Sequence, residues 1–251
     1  MFRLITGLAL AVVFLACLIA SAPARLLNSF LPADRIILQG FSGTLWNGSA
    51  SRALVGAGSG YIHLGAVSWS LNPLSLLTLS PGLRVESSWG KQQLSTDIRF
   101  TGSDSIELAN LDALVSAQLL KQFLPLAVGG DFSVQLGDLV LQGGLPIRGE
   151  GRIVWQQATW ESAQGVLPLG SYAVDFQQLP GQALSGEIVT IAGAVTAQGN
   201  VSLEGIHYSV DLLVTSEPGL DGQLQQALSL IAQPVSEGYR IAFDGQLLEL
   251  E

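Results

Sequence analysis

AVTAQGNVSLEGIHYSVDLLV, residues 194–214, decides how the rest of the chain is read. Val195, Ala197, Gly199, Val201 and Leu203 alternate with Thr196, Gln198, Asn200, Ser202 and Glu204, the period of two that sets side chains on opposite faces of a strand. After Glu204-Gly205 the phase flips, and Ile206, Tyr208, Val210, Leu212 and Val214 carry the apolar side. A two-residue turn at Glu204-Gly205 accounts for the flip, because residues flanking such a turn pair and share a face. That register sets Leu203 opposite Ile206, Val201 opposite Tyr208, Val195 opposite Val214, and His207 opposite Ser202. The segment is a long antiparallel hairpin with one oily face and one polar face.

GFSGTLWNGSA, residues 40–50, obeys the same grammar. Asn47-Gly48 is a two-residue turn signal, since both central positions of a type I′ turn need positive φ. The expected register pairs Trp46 with Ser49, Leu45 with Ala50 and Phe41 with Leu54. Gly40-Phe41-Ser42-Gly43-Thr44 matches a nucleophile elbow only in part, lacking the second glycine where it is required, and no helix follows. Further strands are expected in QLSTDIRF, GDFSVQLGDLVLQGG, IRGEGRIVWQQATW, SYAVDF, SGEIVTIAG and YRIAFDGQLLEL, with many of the 29 glycines at the breaks between runs. Short helices are expected in NPLSLLTL (Asn72 as cap, Pro73 in the first turn), over 111–123, and in EPGLDGQLQQALSLIAQP. The second follows from Leu111, Leu114, Val115, Leu119 and Phe123 on one stripe; the third puts Leu220, Leu224, Leu228 and Ile231 on one side.

Residues 4–24, LITGLALAVVFLACLIASAPA, carry no charge and match the roughly 20 residues that cross a bilayer core as a helix. A retained anchor is the reading adopted. A signal peptide cut after Ala20-Ser21-Ala22 would leave Pro23 at the cut, and a lipidated Cys17 lacks the leucine expected three residues earlier. Arg3 favours a cytoplasmic N-terminus, leaving the remainder on the far side of the membrane. The expected organisation is an anchor over 1–30 and a β domain over 31–251. The domain contains two similar β units, about 36–110 and 126–251, joined by the helix near 111–123. LQGFSGTLW (38–46) and LQGGLPIRGEGRIVW (141–155) motivate the pairing of units.

Chemistry-bearing residues are sparse. The chain is 12% charged with net charge -9, so it repels phosphate backbones, and no nucleic-acid partner is expected. One cysteine excludes an internal disulfide. His63 and His207 lack a second ligand at helical spacing, and the carboxylates are dispersed, so no catalytic residue, metal or cofactor is nominated. Gly56-Ala57-Gly58-Ser59-Gly60 has no following Lys-Ser/Thr and reads as a turn. Five tryptophans stand out; sheet packing is their ordinary role, and Trp46, Trp69, Trp155 and Trp160 are the candidates for partner contact.

The N-terminal apolar run, GFSGTLWNGSA, VSWSLNPLSLL, GRIVWQQATWES with GVLPLGSYAVDF, and the closing GYRIAFDGQL together resemble the type II secretion system protein N family. The resemblance implies a mainly β protein: an N-terminal transmembrane helix, then a curved, elongated antiparallel sheet with a few short helices. It implies a bacterial inner-membrane protein crossing once, with the C-terminal domain in the periplasm, assisting export of folded proteins alongside other secretion components. The family is distantly similar to AsmA-like envelope proteins, whose troughs have an apolar interior. The alternative expectation, motivated by the long apolar face on residues 195–214, is a lipid-binding or lipid-transfer module of that type, with lipid as its partner.

Overall fold

A computed structural model of the chain describes residues 2–29, 31–32, 35–57, 60–76, 80–102, 104–122, 127–162, 165–216 and 219–246. These fall into two compact units, Met1–Trp89 and Gly90–Glu251.

In the first unit, helix α1 (Phe2–Ala20) leads through a 3₁₀ turn at Ala24–Ser29 into β1 (Ile36–Gly43), β2 (Asn47–Ala57), β3 (Gly60–Leu71) and β4 (Gly82–Trp89). Each strand pairs antiparallel with the next. The helix stops at Ala20 rather than running to residue 24. Ser21 Oγ donates to Cys17 O at 2.8 Å, and Pro23, unable to continue a helix, instead bridges to Thr44. Leu10, Val13, Phe14, Leu15, Leu18 and Ile19 of α1 are all more than half exposed. Among the described residues no helix is long and apolar enough to cross a membrane.

The bend between β1 and β2 is present, but its register differs from the expected one. Gly43 pairs with Gly48 and Phe41 with Ala50, so Leu45-Trp46, not Asn47-Gly48, forms the tip. Thr44 N–H donates to Asn47 O at 2.9 Å and Asn47 N–H to Thr44 Oγ1 at 3.1 Å. Positive φ occurs at Gly43 (81°) and at neither Asn47 nor Gly48. Gly48 is small for another reason: a Cβ there would stand 2.5 Å from Cζ2 of Trp69 and 2.6 Å from Thr44 O. The Trp69 ring covers that position while its Nε1–H donates to Leu45 O at 3.0 Å. Around it Ala24, Ala50 and Trp69 are buried, with Leu27, Leu38, Phe41 and Leu83 packed against them.

The second unit comprises β5 (Gln92–Phe100), β6 (Ser105–Ser116), β7 (Val128–Gln142), β8 (Leu145–Ser162), β9 (Gly165–Gln178), β10 (Leu184–Ala192), β11 (Val195–Glu204), β12 (His207–Ser216), α2 (Gly222–Leu228), β13 (Gln233–Val235) and β14 (Gly238–Gln246). Strands β5 to β12 pair antiparallel in chain order; β14 then pairs with β12, and β13 with β14. The hairpin at 195–216 forms with its faces as expected, but the tip is Gly205-Ile206. Glu204 therefore pairs with His207, Leu203 with Tyr208, Val201 with Val210 and Val195 with Ser216. Gly205, at φ 58°, takes the first tip position, which the expected turn had given to Glu204. The slip is two residues in pairing sum, so odd residues of β11 still share a face with even residues of β12.

The helix expected over 111–123 is a strand as far as Ser116 and a 3₁₀ turn over Ala117–Gln122; residues 123–126 lie outside the described set. Cross-strand contacts replace the helical stripe: Leu111 pairs with Leu136, Ala113 with Val134, and Val115 with Phe132. A bulge at Asn110 (φ 51°) marks the β5–β6 irregularity. NPLSLLTL yields a 3₁₀ turn at Pro73–Leu76, with residues 77–79 outside the described set. The third helix forms as α2, and Leu224 and Leu228 are buried, whereas Ile231 is 53% exposed. Those two leucines close the end of the sheet over Ala158, Leu169, Tyr172, Val195, Val214 and Ile241.

Tyr172 is the polar centre of that cluster. Its hydroxyl lies 2.9 Å from Val195 O and 3.1 Å from Leu169 O, and its one proton serves these two carbonyls. Burial pushes its pKa up to about 12.

The packing at Gly48 and the burial of Tyr172 each have a measurable consequence. Gly48→Ala forces Trp69 or the turn to move and lowers stability by about 1–3 kcal/mol; Gly60→Ala, whose Cβ meets nothing within 4 Å, leaves it unchanged. Urea unfolding followed by tryptophan fluorescence distinguishes the two. For Tyr172 the folded state holds the phenol proton more tightly than the unfolded state. Its contribution is therefore full below pH about 10 and lost as pH rises toward about 12, each tenfold difference in proton affinity counting about 1.4 kcal/mol. Tyr172→Phe removes that alkaline loss, which unfolding curves between pH 8 and pH 11.5 detect.

Candidate functional site

The residues with catalytic potential are dispersed by the sheet. Ser42 is exposed on β1 opposite Ser49, and no helix follows it. His63 Nε2 accepts from Arg52 Nε–H at 3.1 Å, and the ring lies against Trp89 with centroids 4.0 Å apart. His207 stands on β12 beside Gln246, whose Nε2 is 2.9 Å from His207 Nε2. Gly56 pairs with Tyr61 and Ala57 with Gly60, with residues 58–59 outside the described set.

Several carboxylates are drawn into cross-strand ion pairs: Arg99–Glu107 at 3.1 Å, Arg148–Asp138 at 2.6 Å, Arg152–Asp175 at 3.0 Å, and Arg240–Asp211. The bidentate Arg240 contact holds the Asp211 carboxyl below the usual carboxylate range. The pairs lie at the sheet surface, where solvent screening and the cost of ordering two long side chains offset most of the Coulomb attraction. Among the described residues no group of three or more His, Cys, Asp or Glu is placed to hold a metal ion. A hollow of ≈ 580 Å³ lies on the polar face between Glu187, Gln198, Asn200, Asp211 and Arg240. Its lining includes no Ser, Thr, Cys, Lys or His, and of its two carboxylates Asp211 is held by Arg240.

The tryptophans take different positions. Trp46 is half-buried and donates its Nε1–H to Ile19 O at 2.8 Å, joining the strand turn to the end of α1. Trp69 is 5% exposed in the first unit's core. Trp155 stacks on Phe132 (5.5 Å, 17°), packs against Tyr172 and donates to Gly129 O at 3.0 Å. Trp160 packs beside the same cluster, and Trp89 is 46% exposed.

Two surfaces remain: one continues the oily face expected for the 194–214 hairpin, and the other is one that sequence reasoning did not locate. The first is the apolar face of the second unit, which the registers carry from strand to strand: Val134 opposite Ile153, then Val174, then Ile188. These side chains are half-buried, and among the described residues of this unit α2 covers only one end of the face. The second is the outer edge of β14. Strand β13 pairs with Gly238, Tyr239 and Arg240 and then stops. The two-residue Ser236-Glu237 turn makes Val235–Gly238 a hydrogen-bonded pair, so alternation directs the N–H and C=O of even-numbered β14 residues away from β12. Ala242, Asp244 and Gln246 consequently present backbone groups that no described residue pairs. Phe243, 44% exposed, and Tyr208, whose ring lies over Gly245, flank them on the apolar face. Pattern reading finds alternation along a strand; it carries no signal for which strand is left at an edge.

Residues 34–242 match the family model described as "Type II secretion system (T2SS), protein N". Two curated relatives carry the same description. The chain is 30% identical to type II secretion system protein N of Vibrio cholerae serotype O1 over 96% of this chain and 97% of that one. It is 25% identical to the Aeromonas hydrophila protein over 94% and 95% respectively. No solved structure matches it. With most of its length matched, and with strand pairing running through all the matched blocks, the chain belongs to the type II secretion system protein N family.

Proposed function

We propose that this protein is a non-enzymatic accessory of the type II secretion system, anchored in the bacterial inner membrane by its N-terminal helix, with its β-sheet in the periplasm. It assists export of folded proteins across the outer membrane through contacts with other secretion proteins. The match of residues 34–242 to the family carries this reading. The exposed apolar side chains of α1 support the anchor, because such a surface is favoured in lipid and costly in water. Trp46, tied to the carbonyl of Ile19, then stands at the membrane-facing end of the sheet, where an amphipathic indole suits the interface. Contact with partners runs through backbone groups at a sheet edge, which need no catalytic or ligand-binding constellation.

The intact protein, purified from alkaline-washed membranes of cells carrying the secretion machine, brings other secretion components with it. Loss of the protein in the wash rules out the anchor, and recovery without any component rules out the assignment.

A second reading rests on the half-buried apolar face of the second unit. An open greasy surface of this kind accommodates an acyl chain, which makes a lipid-binding role the alternative. Native mass spectrometry of the purified protein checks it: reproducible phospholipid adducts, reduced by Val174→Asp on that face, favour it, and adduct-free spectra dismiss it.

A further inference from the structure

We propose that the outer edge of β14, from Ala242 to Gln246, receives an extended segment of a different secretion polypeptide as an added strand. The inference rests on the functional reading above and says where that contact lies.

The chain treats its edges unequally. In the first unit β1 carries Gly40 at positive φ, and just past its far end Thr44 bridges to Pro23. Strand β13 is three residues long and contains Pro234, which has no N–H to offer outward. Both are devices that discourage pairing. Past Arg240 the protection ends. Ala242, Asp244 and Gln246 supply a run of donors and acceptors free of partners among the described residues, on a strand already held by β12, with Ile241, Phe243 and Gly245 paired to Leu212, Val210 and Tyr208. A chain entering from the Gln246 end can run along the edge until it meets β13.

The flanking side chains describe the occupant. On the apolar face the incoming strand lies beside Phe243 and Tyr208, so alternate residues of it are apolar. On the polar face it passes Asp244, which favours a neutral or basic residue there. A second copy of this chain fits poorly. Antiparallel self-pairing centred on Phe243 drives Gln246 of one copy into β13 of the other. Centred on Asp244, it sets two carboxylates face to face. Centred on Gly245, it sets only Asp244 and Gln246 opposite each other among the described residues of the edge.

The test separates backbone from side chain. Asp244→Pro deletes an outward N–H without touching the β12 ladder, Ala242→Pro does the same one repeat away, and Asp244→Ala removes only the carboxylate. A photo-crosslinking residue replaces Phe243 in the full chain, in cells that carry the secretion machine. It is expected to give an adduct with a secretion component. That adduct falls at least about tenfold in either proline variant and persists in Asp244→Ala, as loss of backbone hydrogen bonds at a strand interface requires.

Amide hydrogen exchange on the isolated full chain needs no variant. Ala242, Asp244 and Gln246 exchange fast, while Ile241, Phe243 and Gly245 are slow. Slow exchange at the even positions, an adduct consisting of two copies of this chain, or an adduct unaffected by proline overturns the proposal. If components co-purify but no adduct forms at Phe243, the edge is wrong and the functional reading stands. If components neither co-purify nor crosslink, both fall.

Discussion

The structure depends on backbone pairing between neighbouring strands more than on an enclosed core. Among the described residues no large side chain is fully buried; the most enclosed positions are alanines such as Ala117, Ala158 and Ala173, and the leucines, valines and phenylalanines of the strands are mostly half-exposed. A sheet built this way gains little from three-dimensional packing, so each strand is held chiefly by hydrogen bonds and facing side chains of its neighbours. Where the ladder opens, side chains repair it: beyond Ile188–Gly199, Thr190 Oγ1 accepts from Ala197 N–H at 2.7 Å and donates to Ala197 O at 2.8 Å. Buried polar groups left without partners would be costly in so thin a structure.

That economy explains which features were legible in the sequence. Alternation was legible because one face of each strand is greasy and the other wet, and the hairpin at 195–216 kept its faces even though its tip moved by one residue. The tips were less legible, since turn chemistry competes with contacts distant in sequence. Asn47-Gly48 satisfies every local rule for a type I′ turn. It loses to Trp69, which needs a glycine beneath its ring, and to the main chain near Ala22, whose carbonyl accepts from Leu45 N–H at 2.8 Å. The stripe at 111–123 failed for a related reason. Leu111, Leu114 and Val115 fit helical spacing, but Leu136 and Phe132 supply partners at strand spacing, and pairing over that length outweighs a propensity worth tenths of a kcal/mol per residue.

The candidate site was less legible still. Catalytic and metal sites announce themselves by residue type and spacing, whereas a strand edge is made of backbone groups that every residue possesses. Its one signal in the sequence is negative: Pro234 stands in the last short strand, and no proline or lysine interrupts Ile241–Gln246. Reading that difference requires knowing that β13 begins only at Gln233, opposite Arg240, because the chain before it is taken up by α2 and the turn that follows that helix. The tryptophans illustrate the converse. They were conspicuous in the sequence, and three of them direct their N–H groups at main-chain carbonyls of their own unit, so their polar atoms are satisfied internally.

The same backbone logic bears on the N-terminal helix. The last turn of a helix leaves carbonyls without intrahelical partners, and each needs a donor from elsewhere or from water. Here Cys17 O accepts from Ser21, Ile19 O from Trp46 Nε1–H, and Ala22 O from Leu45 N–H. Two of these three donors come from the β1–β2 tip, the position vacated when the turn shifted away from Asn47-Gly48. The shift therefore has a structural consequence: it places Leu45 and Trp46, rather than Asn47, against the helix end. A tip at Asn47-Gly48 would draw Leu45 and Trp46 into paired strand and leave the helix carbonyls to solvent. The glycine under Trp69 thus helps determine how the first unit is fastened to its own N-terminal helix, without touching that helix itself.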